Sequence, residues 1–192
     1  MKHWLQTHTP LLVSLVALAL SPVAARAQYA PYAMFSGGHY SGVGVGVGTS
    51  ATQSGGYTAL GGTFGIYNDF ERLGPARLGG DGRAIVENSA NSTPYGDKIL
   101  GGLVGARVDA AGLPAIPVNP YAQLEIGAVG TNGGNSYTRT TSFAYQVQFG
   151  GDFTILPHLA ARVEYGAGQL STANGTNHTL QTFGGGLVLR LF

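Results

Sequence analysis

The chain has 192 residues, no cysteine, 32 glycines and only 10% charged residues, with a formal net charge of +1. So near-neutral a balance excludes the clustered basic surface that nucleic acid binding needs. The lack of cysteine excludes a disulfide scaffold, and a soluble secreted domain normally carries charge on about a quarter of its residues.

The first 27 residues read as a secretory signal peptide. Lys2 and His3 give a positive start, Leu11 to Leu20 an apolar run interrupted only by Ser14, and Ala25-Arg26-Ala27 a small-x-small cleavage site before Gln28. The run is too short for a spanning helix, which needs roughly 20 apolar residues. Removing residues 1–27 takes away Lys2 and Arg26, leaving 8 basic groups against 9 acidic ones. Residues 28–192 are expected to form one domain.

Alternation of apolar and polar residues predicts eight strands, at 29–41, 56–68, 76–87, 98–109, 118–130, 140–154, 159–170 and 179–192. The first does not assign its own faces from Met34, Phe35, His39 and Tyr40. In the fifth, Tyr121, Gln123, Glu125 and Gly127 oppose Ala122, Leu124, Ile126 and Ala128. In the sixth, Gln146, Gln148 and Asp152 oppose Phe143, Tyr145, Val147, Phe149 and Phe153; in the seventh, Arg162 and Glu164 oppose Ala161, Val163 and Tyr165. Three connections are compact and carry proline: Asn68 to Pro75, Ala110 to Pro117 and Ile155 to His158. The other four, Gly42 to Gly55, Asn88 to Asp97, Asn132 to Arg139 and Ser171 to His178, are rich in Asn, Gly, Ser and Thr. Loop and turn alternate, as they do when eight antiparallel strands leave both termini on the side of the short turns.

The last strand places Phe183, Leu187, Leu189 and Leu191 on one face and Thr182, Gly184, Gly186 and Arg190 on the other, and it ends on Phe192. A final strand with a terminal Phe resembles the closing strand of bacterial outer-membrane β-barrels, where that residue serves as the insertion signal; Arg190 departs from the apolar residue usual at its position. The internal charges Asp81, Arg83, Arg107, Asp109, Glu125, Asp152, Arg162, Glu164 and Arg190 each oppose the most apolar face of their strand. A closed sheet in lipid keeps such charges off its outer face, and an eight-stranded interior has room only for side chains, so the charges must pair. The expected network joins Asp152, Arg162, Glu164 and Arg190 across strands six to eight, with Asp81, Arg83, Arg107 and Glu125 on the opposite wall. Tyr32, Tyr40, Tyr57, Tyr67, Phe70, Tyr145, Phe153 and Phe192, near strand ends, are expected in the interfacial girdles.

In layout the chain resembles small outer-membrane barrels of the OmpA transmembrane-domain and OmpX type over residues 28–192. The resemblance implies an all-β, eight-stranded up-and-down transmembrane barrel with periplasmic termini. Its partners would be outer-membrane lipid, lipopolysaccharide and the barrel assembly machinery, with extracellular ligands reached through the loops. A monomer with a structural or surface-interaction role is expected, without catalysis, metal or cofactor; the cell-wall-gripping domain of OmpA-like proteins is not carried over. The alternatives are a narrow ion channel gated by internal salt bridges, a lipid A modifying barrel enzyme and a secreted lipocalin-like barrel. The glycine run Gly42 to Gly48 lacks the first, third and sixth glycine spacing of a dinucleotide loop and precedes no helix. His39, His158 and His178 are scattered, no His-x-Ser-Asn stretch of the lipid A deacylases occurs, and no Gly-x-Trp lipocalin start follows the signal.

Overall fold

A computed structural model describes residues 28–41, 57–89, 98–110, 117–132, 139–171 and 177–191. The signal segment, the Gly42 to Gly48 run and the terminal Phe192 lie outside the described residues. Eight strands form the fold: β1 (Gln28–Tyr40), β2 (Tyr57–Leu73), β3 (Ala76–Ser89), β4 (Lys98–Ala110), β5 (Val118–Asn132), β6 (Arg139–Leu156), β7 (Leu159–Ser171) and β8 (Asn177–Leu189). Each pairs antiparallel with its sequence neighbours, and β8 returns to β1, so the sheet closes as an up-and-down barrel. Closure leaves no strand edge unpaired, the condition for a sheet to lie in a medium that offers no hydrogen bonds.

The register sets the shape. Followed one way across the ladders, Ser36 leads through Gly61, Glu87, Ile99 and Thr131 to Thr140 on β6; followed the other way, it leads through Gly184 and Glu164 to Gly150. The two routes reach β6 ten residues apart. A stagger of ten over eight strands tilts them by about 40° from the axis and leaves an interior that side chains alone can fill.

Two hairpins are tighter than the sequence suggests. The expected Asn68 to Pro75 connection is mostly strand: β2 runs on to Leu73, which pairs with Ala76, and only Gly74 and Pro75 turn. Gly74 has φ 61°, the positive value that a two-residue hairpin places at its first central residue and that glycine adopts without strain. The polar run Asn68 to Arg72 stays in the ladder through a shift of register between Asp69 and Glu71. Likewise Ile155 to His158 shrinks to Pro157 and His158, with Leu156 opposite Leu159.

The strand alternation separates two environments. Outside, Phe35, Phe64, Val104, Leu124, Phe149, Val163 and Leu187 are among the exposed large apolar side chains, with Leu124 54% and Phe149 60% accessible. Inside, Asp81, Arg83, Arg107, Glu125, Gln146, Gln148, Asp152 and Arg162 are buried. This is the reverse of the soluble lipocalin-like alternative, which requires an apolar cup and a polar exterior. Face by face, the fifth, sixth and seventh strands lie as the sequence indicates. On β1 the even positions Tyr32, Met34, Ser36 and Tyr40 point inward, while Phe35 is exposed.

Candidate functional site

The interior is layered along the barrel axis. At the end of the short turns, Arg77 on β3 donates Nε to Asp109 Oδ1 at 2.8 Å and lies 3.5 Å from Asp69 Oδ2. Arg77 keeps part of its side chain in solvent, so this triad is a rim feature.

One layer inward, two guanidinium groups share a carboxylate. Arg162 on β7 grips Asp152 of β6 with two bonds, Nε to Oδ1 at 2.8 Å and Nη2 to Oδ2 at 2.9 Å. Arg107 of β4 reaches past β5 to Asp152 Oδ2 at 3.3 Å, and the Tyr67 hydroxyl donates to the same oxygen at 3.1 Å. Two like charges on one acceptor would repel; aromatic rings offset this. Arg107 lies 4.1 Å from the Tyr67 ring centroid and 3.6 Å from that of Tyr121, while Arg162 lies 4.3 Å from Tyr32 and 4.8 Å from Tyr67 and Tyr121. Ring faces carry negative quadrupole charge and attract cations within about 6 Å. Glycines let these rings lie against the wall. Tyr32 pairs across the ladder with Gly65, and Tyr121 with Gly150; a methyl group on either glycine would run into the tyrosine ring.

The next layer is inverted in charge. Arg83 on β3 donates Nε to Asp81 Oδ1 at 3.2 Å, places that nitrogen 2.8 Å from Glu125 Oε1, and crosses the lumen to Glu164 Oε1 with Nη1 at 2.6 Å. One cation thus faces three carboxylates. Tyrosine hydroxyls brace two of them: Tyr32 donates to Asp81 at 2.8 Å and Tyr121 to Glu164 at 2.7 Å. Amides brace the third, with Gln123 and Gln146 each donating to Glu125 at 3.0 Å, while Gln123 also donates to Gln148 at 2.6 Å.

Towards the other end the lumen becomes apolar. Tyr40, Ala59, Ile85, Ile99, Leu103, Val129, Ala144, Leu170 and Leu180 form one buried cluster. Set beside it is a single carboxylate, Glu87, which accepts from Ser36 Oγ at 2.9 Å and Tyr40 Oη at 3.0 Å; Thr63 donates in turn to Ser36 at 2.9 Å.

Of the eight residues expected to form the lumen network, seven meet: Asp81, Arg83, Arg107, Glu125, Asp152, Arg162 and Glu164. Their grouping differs from the expected two walls, because the lumen is narrow enough for Arg83 to reach Glu164 of β7 on the far side, and Arg107 of β4 reaches past β5 to Asp152 of β6. Arg190 stands apart. It lies beyond the end of β8, where its Nη1 donates to Thr154 Oγ1 at 3.1 Å. Tyr32, Tyr40 and Tyr67 are not girdle residues but buried lumen residues, whereas Phe70, Tyr145 and Phe153 are exposed on the outer face. Their inward phase was available from parity, since Tyr67 shares it with Thr63 and Tyr32 with Ser36. Glu87 was missed because it closed its predicted strand, although it shares phase with Asp81 and Arg83. His39 contacts Thr58 at 3.3 Å, His158 sits in the exposed Pro157 turn, and His178 lies at the far end of β8. Among the described residues no three His, Cys, Asp or Glu side chains converge in a metal-holding arrangement.

No protein-family model and no curated protein matches the sequence. The fold, in contrast, is similar to that of solved small outer-membrane barrels. Neisserial surface protein A superposes with a TM-score of 0.55 at 15% identity, covering 86% of this chain and 97% of that one. Ail, the attachment invasion locus protein of Yersinia pestis, gives 0.54 at 11% identity, covering 85% and 98%. The outer membrane protein OprG of Pseudomonas aeruginosa gives 0.52 at 8% identity, covering 85% and 95%. At such identities the likeness is one of fold.

Proposed function

We propose that this protein is an integral outer-membrane barrel whose interior is a fixed plug and whose role is structural or one of interaction at the cell surface. The observation that carries the reading is the inverted partition of side chains on a closed sheet: apolar residues ring the outside, while the charges are paired within. In water, exposing so much apolar surface on one continuous belt would promote association; in a bilayer it is the contact surface. The short Gly74-Pro75 and Pro157-His158 turns lie at the same end of the barrel as Tyr29 and Leu191; in our reading that end faces the periplasm and the four polar connections belong to the opposite, outer side. Those connections are where a surface partner would be met.

The plugged lumen favours a non-conducting barrel over the salt-bridge-gated channel. Rearranging ion pairs would still leave the apolar cluster around Leu103, Ile99 and Leu180, and a dry apolar constriction blocks ions by itself. A non-catalytic role fits the placement of His158 at the opposite end of the barrel from His39 and His178, which lie on the adjacent strands β1 and β8 three register positions apart.

The deciding experiment is extraction of isolated outer membranes with carbonate, followed by gel mobility with and without boiling. Retention with a heat-dependent shift is expected; release as a soluble protein without a shift rejects the reading. Purified protein in planar bilayers should be silent, and lipid A mass should not change on expression.

A further inference from the structure

The middle of the lumen does not balance. Asp81, Glu125, Glu164 and Asp152 are four carboxylates, and the guanidinium groups within ion-pair distance of them are three, Arg83, Arg107 and Arg162. Arg162 is committed to Asp152, and Arg107 to Asp152 and, at 3.8 Å, to Asp109, and both lie against tyrosine rings. The deficit therefore falls on the Arg83 layer, where one cation meets three carboxylates.

A second, independent feature points to the same spot. Asp81 Oδ2 and Gln146 Oε1 are buried acceptors with no hydrogen-bond donor; Asp81 is 5% accessible and Gln146 not at all. Both flank Glu125. The other oxygen of Asp81 shares the Arg83 Nε with Glu125, and the amide nitrogen of Gln146 donates to Glu125 Oε2. A neutral donor could satisfy these two oxygens yet leave the charge uncompensated, so the surplus, more than the hydrogen bonding, decides what the layer takes up.

We propose that the Asp81–Glu125–Gln146 cluster binds one additional monovalent positive charge: a proton bridging Asp81 and Glu125, or an alkali cation held on the same oxygens. The charged and titratable groups facing it are Tyr32 from β1, Tyr67 from β2, Arg83 from β3, Arg107 from β4, Tyr121 from β5, Asp152 from β6 and Arg162 and Glu164 from β7, while β8 contributes Gly184 and no charge at this level. The consequence is electrostatic: with the site occupied the Arg83 and Asp152 layers together are neutral, and with it vacated they carry one uncompensated carboxylate between them. The proposal stands whether or not the barrel has a surface partner.

The test is the midpoint of the heat-induced gel shift for the folded protein in detergent, measured for wild type, Glu125→Gln, Asp81→Asn and the exposed-site control Glu71→Gln. One series raises pH with N-methylglucamine as the only cation; a second adds sodium or potassium chloride at fixed pH and ionic strength. Wild type and Glu71→Gln should lose several degrees, on the order of 3 °C or more, as pH rises without alkali ions. Recovery on adding sodium or potassium assigns the alkali cation as an alternative occupant; absence of recovery assigns the proton alone. Dependence on alkali ions with no dependence on pH assigns the cation alone. Glu125→Gln removes the surplus charge and should flatten both series, and Asp81→Asn should do so if Glu125→Gln fails to fold. Wild type and Glu125→Gln behaving alike in both series would overturn the proposal.

Discussion

Asp152 is a shared acceptor in the lumen, since Arg162, Arg107 and Tyr67 all donate to it. Replacing it with Ala leaves two buried guanidinium groups without their shared anion, and breaking a buried pair in this way costs about 3–5 kcal/mol. Urea unfolding in lipid vesicles should show a loss of that size for Asp152→Ala, and a far smaller one for Arg190→Ala, whose side chain meets a hydroxyl at the rim. Gly65→Ala is expected to be destabilising by about 1–3 kcal/mol through overpacking against the Tyr32 ring; Tyr32→Leu in the same background should recover part of it. At this scale the sequence was informative about charge and poor about partners. Parity alone placed Arg83, Glu125 and Glu164 inside, because a charge on a lipid-facing position is so unfavourable that alternation becomes diagnostic. It could not say that Arg83 spans the lumen to Glu164, since that depends on the stagger of strands far apart in the chain. Tyrosine misled for a related reason: an aromatic ring with a hydroxyl suits both an interface and a cation-lined interior, so proximity to a strand end did not settle the position of Tyr32 or Tyr67.

Each strand works as a two-sided ribbon, and the two sides tolerate different changes. Leu124 of β5 faces outward between Gln123 and Glu125, which face inward. Leu124→Arg should cost about 2–4 kcal/mol in a bilayer if that position lies near mid-membrane, measured as the shift in urea midpoint in vesicles. Leu124→Ile should be nearly silent. Strand existence was legible from this same period of two. Strand ends were not: Asn68 to Arg72 has the composition of a turn, yet it is held in β2 because its ladder partners on β3 continue and a register shift absorbs the irregularity. Pairing partners override local composition wherever the neighbouring strand is long enough to reach.

For the whole molecule, closure and packing act together. The ionic layers and the apolar cluster fill different parts of one lumen, so no single substitution in the charged layers is expected to produce conductance; Arg83→Ala should remain silent in planar bilayers, and steady currents from it would refute the plug. The seam that closes the ring joins Tyr32 to Tyr40 with Val188 to Leu180, supplemented by the bridge from Tyr29 to Leu191. Its two halves are the first and last strands of the chain, separated by nearly the full length of the domain. During synthesis β1 is therefore made well before its permanent neighbour β8, and throughout that interval it presents a bare row of amide and carbonyl groups to any other extended chain nearby. The fold's most exposed moment is thus biosynthetic, and it ends only when residues 177–191 arrive to take the open edge.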